Sequence, residues 1–91
     1  MTGYARESIR FGNVAREQTI RILAEMVANV IVVEVGVNDV VAAGDPVCLL
    51  ESMKMEIPVL TERSGVVSAI KVAPGDVVQE GDVLVELTAA R

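Results

Sequence analysis

The feature that most constrains this chain is an internal repeat. Residues 33–45 align with residues 70–82 at a constant offset of 37 positions. Asp39 matches Asp76, Val40-Val41 match Val77-Val78, and Gly44-Asp45 match Gly81-Asp82. The match reaches back to Val30 and Val67 and forward to Leu50 and Leu87. Turn chemistry repeats too: Asn38 stands where the second copy has Gly75, and both residue types tolerate positive φ. Two copies are too few for a solenoid, which needs about three repeats to bury its faces. Two related halves therefore imply one sandwich with a pseudo-two-fold axis, each half supplying strands to both sheets.

Short runs rich in β-branched residues, punctuated by Gly, Asn, Asp and Pro, fill both copies. Strands are expected near Ile22–Met26, Val30–Val35, Val40–Val41, Val47–Glu51, Met55–Leu60, Val66–Val72, Val77–Val78 and Val83–Leu87. The fold class is all-β. With 91 residues there is room for one small domain and a limited core, not for a deep catalytic cleft. Residues 1–21 fit neither a strict period of two nor a helical stripe, beyond a turn or two of helix around Ala5–Arg10. They are expected to form a flexible N-terminal extension or a docking segment that orders on a partner, leaving residues 22–91 as the domain.

Composition narrows the chemistry. The chain has no histidine, which removes the commonest general base and metal ligand together. One cysteine, Cys48, leaves no internal disulfide and no Cys/His zinc cluster, so no metal site is expected. Cys48 falls in an expected strand and reads as a small packed hydrophobe. Asp39, Asp45, Asp76 and Asp82 lack the spacing of a calcium loop and sit beside turn signals, so turn chemistry is their expected role. Residues 22–91 carry four basic and eleven acidic side chains, a charge balance that argues against nucleic acid as a partner. No secretory signal pattern is visible, and the apolar run Val30–Val33 is far too short to span a membrane. The expected address is the cytoplasm.

Between the two copies lies Glu51–Val66, with Lys54 near its start. Its equivalent, 37 positions on, is Arg91, so the Lys54 turn and the C-terminus should leave from opposite ends of the sandwich. Strand-like segments flank Met53-Lys54, which makes a tight hairpin the natural reading. Yet Met and Lys are not the Gly or Asn such turns prefer, and local rules tend to be broken at functional sites. An exposed lysine between two adaptable methionines fits a surface that a partner enzyme grips while it acylates the amine. Pro58, within the following strand, indicates an edge position or a bulge.

The stretch Glu51-Ser52-Met53-Lys54-Met55-Glu56 closely resembles the attachment motif of the biotinyl/lipoyl domain family, whose usual form is Glu-Ala-Met-Lys-Met. The resemblance covers roughly residues 22–88, and the chain looks like a small stand-alone biotin carboxyl carrier. It implies a flattened barrel-sandwich hybrid of two four-stranded antiparallel sheets, with the modified lysine on a protruding hairpin. It further implies covalent biotin on Lys54, with Glu51, Ser52, Met53, Met55 and Glu56 read by partners. Those partners are a biotin protein ligase, a biotin carboxylase that loads CO2 from bicarbonate, and a carboxyltransferase acting on an acceptor such as an acyl-CoA. The cofactor supplies the chemistry and the protein the tether, so no catalytic residue is expected in this chain. Ser52 replaces the usual alanine, and Val27-Ala28-Asn29 stands where relatives often have a Pro-Gly turn. Methionines on both sides of the lysine favour biotin over the lipoyl branch. The reading from a different class is an interaction domain that serves no carboxylase.

Overall fold

The computed structural model describes residues 18–89. Eight strands appear in order: β1 Gln18–Leu23, β2 Ala28–Val33, β3 Val40–Val41, β4 Pro46–Ser52, β5 Met55–Leu60, β6 Gly65–Ile70, β7 Val77–Val78 and β8 Val83–Ala89. They form two antiparallel four-stranded sheets, ordered β1-β8-β6-β3 and β5-β4-β2-β7. This is the flattened, unclosed barrel-sandwich expected from the repeat and the motif. Among the described residues, no helix is long and apolar enough to cross a membrane.

The repeat is more complete than the alignment of side chains showed. Shifting every strand by 37 positions maps β2, β3 and β4 onto β6, β7 and β8, and also β1 onto β5. The two sheets are therefore copies in order as well as in length. Even the irregularities match, with a bulge between Val30 and Val32 in β2 and another between Val67 and Ala69 in β6. Turn capping obeys the same rule. The carboxylates of Asp39, Asp45, Asp76 and Asp82 accept the backbone N–H of Gly36, Ala42, Ala73 and Gln79, at 2.7, 2.9, 2.9 and 2.9 Å. Asn38 and Gly75 both adopt positive φ, 79° and 97°, and each donates its N–H to the partner half, to Val67 O and Val30 O.

The core is paired in the same way. Val30 and Val67, Val41 and Val78, Val47 and Leu84, Cys48 and Val85, and Leu50 and Leu87 are equivalent and all buried. Among the described residues the core is built from aliphatic side chains and Cys48 alone.

The domain boundary expected at residue 21 falls inside β1. Gln18–Arg21 pair with Glu86–Ala89, so the strand placed at Ile22–Met26 begins earlier and ends at Leu23. β1 is an edge strand exposed except at Ile20 and Ile22, and two half-buried residues are too short a signal for periodicity to detect. Residues 1–17, including the helical turn expected around Ala5–Arg10 and most of the extension, lie outside the described residues.

Candidate functional site

The β4–β5 hairpin is the most distinctive surface feature of the fold. Ser52 pairs with Met55, leaving Met53 and Lys54 as a two-residue loop. Both loop residues have positive φ, 53° and 66°. That is the mark of a type I′ turn, whose twist suits a hairpin but which normally recruits Asn or Gly. The left-handed region costs a side-chain-bearing residue about 1–2 kcal/mol. Met53 and Lys54 thus hold the tip in a conformation their side chains disfavour, and the paired strands below impose it.

The tip is fully presented. Met53 is 91% exposed and Met55 64% exposed, and Lys54 is exposed between them. Among the described residues, no carboxylate lies within ion-pairing distance of the Lys54 amine. Directly below, Glu51 and Glu56 face each other across the strands, both exposed. Like charges directly opposite on a sheet are destabilising. Ser52 donates its hydroxyl to Val27 O at 3.1 Å, tying the base of the hairpin to the β1–β2 loop. This bond gives the serine that replaces alanine in the motif a structural role that sequence reasoning did not supply.

The equivalent of the hairpin lies at the other end of the molecule. There Ala89 pairs with Gln18, next to the β5–β6 turn, where Gly65 approaches Thr88. Lys54 and the end of β8 therefore leave the sandwich in opposite directions, as the repeat required.

All six residues of the motif are brought together on this hairpin, on the sheet β5-β4-β2-β7. Pro58 lies on edge strand β5, as its missing N–H demanded. Cys48 is fully buried in β4, its thiol pushed up to about 11, first by burial and then by the charge of Glu34. It is therefore no nucleophile at neutral pH. Among the described residues, no group of three or more His, Cys, Asp or Glu side chains is placed to hold a metal. A groove of about 770 Å³ runs between β1 and β5 and includes neither Lys54 nor its methionines. Its main walls, residues 20–26 and 57–63, are equivalent segments, so it is the open side of the sandwich on the pseudo-two-fold axis.

The geometry is that of a projecting lysine at the midpoint of a two-fold β sandwich. Residues 14–87 match the family described as "Biotin-requiring enzyme". The chain belongs to this biotin/lipoyl attachment family. It is 48% identical over 64 residues to the biotin/lipoyl attachment protein of Bacillus subtilis, covering 70% of this chain and 88% of that protein. It is 52% identical over 61 residues to the biotinylated protein TB7.3 homolog of Mycobacterium leprae, covering 67% of this chain and 86% of that one. It is also 40% identical over 74 residues to the pig propionyl-CoA carboxylase alpha chain, where it covers 80% of this chain but 10% of the larger one. The Kluyveromyces lactis urea carboxylase structure superposes with a TM-score of 0.73 at 31% identity, over 77% of this chain and 6% of that one. The domain is thus a carrier of the kind found in biotin-dependent carboxylases.

Proposed function

We propose that Lys54 carries biotin in amide linkage, and that the domain moves a carboxyl group between the biotin carboxylase and carboxyltransferase of an acyl-CoA carboxylase. The observation that carries this reading is the two-residue turn: a lysine held in the left-handed region at a fully exposed tip, with no ion-pair partner among the described residues. Among the described residues, no carboxylate competes for the amine. In the attachment step Nζ forms a C–N bond to the acyl carbon of activated biotin. The bond to the leaving group breaks, and the amine proton passes to a base on the ligase. Bound biotin supplies a ureido nitrogen that accepts and releases CO2, and the chain supplies reach and presentation. Relatives named as propionyl-CoA carboxylase and acyl-coenzyme A carboxylase subunits support the acyl-CoA assignment.

Intact-mass measurement after incubation with a biotin protein ligase, biotin and ATP tests the site. The wild type should gain one biotin and Lys54→Ala none. A biotin adduct that persists in Lys54→Ala overturns the assignment. Incubation with a lipoyl-transferring enzyme tests the second reading, a lipoyl carrier, since the name of the Bacillus subtilis relative gives biotin and lipoyl together. Lipoyl transfer faster than biotin transfer would replace biotin by lipoate.

A further inference from the structure

The two sheets match in topology, register and core, but their outer faces do not. On β5-β4-β2-β7, Val32, Leu49 and Pro58 lie opposite one another in a row across three strands. All three lie outside the packed core, with Val32 41% exposed and Pro58 exposed. The same positions on β1-β8-β6-β3 are Ala69, Glu86 and Arg21, also in one row. There Arg21 and Glu86 form an ion pair of 3.4 Å. This row is thus ion-paired on one sheet and apolar on its copy. The next row toward the hairpin differs in the opposite sense, charged on the lysine-bearing sheet and uncharged on its copy, where exposed Val66 and Val40 continue it. Glu51 and Glu56 face each other beneath Lys54, whereas their equivalents are the threonines Thr88 and Thr19.

Resting on the reading of Lys54 as the biotinylated residue, we propose that the Val32–Leu49–Pro58 row is the docking face for the ligase that acylates it. The partner surface is an apolar ridge bordered by basic side chains. The border follows from charge: Glu51 and Glu56 flank the row on the hairpin side and have no cationic partner among the described residues. The choice of the ligase follows from reach. An enzyme that bonds to Nζ itself must bring its reacting centre to the tip of a two-residue turn, which presses its surface against the strands below. Enzymes acting on the far end of a tethered group are reached by the tether without that contact.

The test transplants one face onto the other. The variant V32A/L49E/P58R gives the lysine-bearing sheet the row its copy already tolerates. The single variant L49E is measured alongside. Biotin incorporation at Lys54 is followed by mass against carrier concentration, with thermal unfolding of each variant. The expected result is a rise in KM of at least tenfold with kcat within twofold, for either variant that unfolds cooperatively. The control R21A/E86L, on the other sheet, should leave both constants unchanged. Incorporation into V32A/L49E/P58R and L49E as efficient as into the wild type overturns the docking face while leaving Lys54 as the site. An equal KM rise in R21A/E86L overturns the sidedness. Failure of the wild type to gain biotin, or an adduct that persists in Lys54→Ala, removes the site reading instead.

Discussion

The two ends of the sandwich are related by the same rotation, yet only one of them is strained. At the open end, β8 and β1 meet through Ala89–Gln18, then Thr88–Thr19, then the ion pair Glu86–Arg21. At the hairpin end the corresponding pairs are Ser52–Met55, Glu51–Glu56 and Leu49–Pro58. Favourable pairs occupy one end; a repulsive pair, an apolar row and a left-handed Met-Lys turn occupy the other. One residue deeper the difference vanishes, with Leu50–Ile57 matching Leu87–Ile20. Leu50 and Leu87 keep their identity across the rotation, whereas the exposed pairs near Lys54 do not.

The largest expected effect tests the symmetric part. Leu50→Ala and Leu87→Ala should each cost about 2–5 kcal/mol, since both side chains are buried at equivalent sites. Urea unfolding of the two variants should give similar losses. A loss at one site more than twice that at the other would show that the halves are not energetic copies.

Gly65 sharpens the comparison in the opposite direction. A Cβ there would sit 2.8 Å from the Thr88 carbonyl oxygen, a clash with rigid backbone. The equivalent residue is Ala28, already buried. Gly65→Ala should cost about 1–3 kcal/mol by overpacking, whereas Ala28→Gly should cost only about 0.5–1 kcal/mol through backbone entropy. Equal losses in thermal denaturation would contradict the asymmetry at these strand starts.

Cys48 and Val85 are equivalent core residues, and only the first titrates. The folded thiol ionises near 11 against an ordinary value of 9.0, so the native state holds its proton more tightly than the unfolded chain. That contribution is complete below about pH 9 and is lost as the pH rises toward 11, on the order of 2 kcal/mol. Cys48→Val should flatten the stability profile across this window. An unchanged slope would place its origin elsewhere. In the native wild type, thiol reagents should react at pH 8 only as fast as the chain unfolds.

The smallest expected effect is a gain. Met53→Asn keeps Lys54 and replaces a disfavoured left-handed residue with a favoured one. It should stabilise the fold by about 0.5–1 kcal/mol while slowing biotin incorporation. A loss of stability would mean that Met53 makes a contact worth more than its backbone strain.

Much of this protein was legible in its residues. The 37-residue offset, the Gly-Asp turns and the valine-rich runs sufficed for two β halves about a pseudo-two-fold axis. The position of Lys54 at their junction, with the resemblance of its neighbours to an attachment motif, sufficed to place the lysine at the tip of a hairpin and to propose it as the tether. Turn carboxylates and edge proline were readable because each acts on backbone within three residues or on its own N–H. β1 was misplaced at its start because an edge strand with two inward residues carries almost no periodic signal. Three further features needed the tertiary structure: the left-handed backbone at Met53 and Lys54, the hold of Ser52 on Val27, and the opposition of Val32, Leu49 and Pro58. Each depends on register between strands, with bulges shifting it by a residue, and register is fixed by packing across the sandwich rather than by neighbours along the chain.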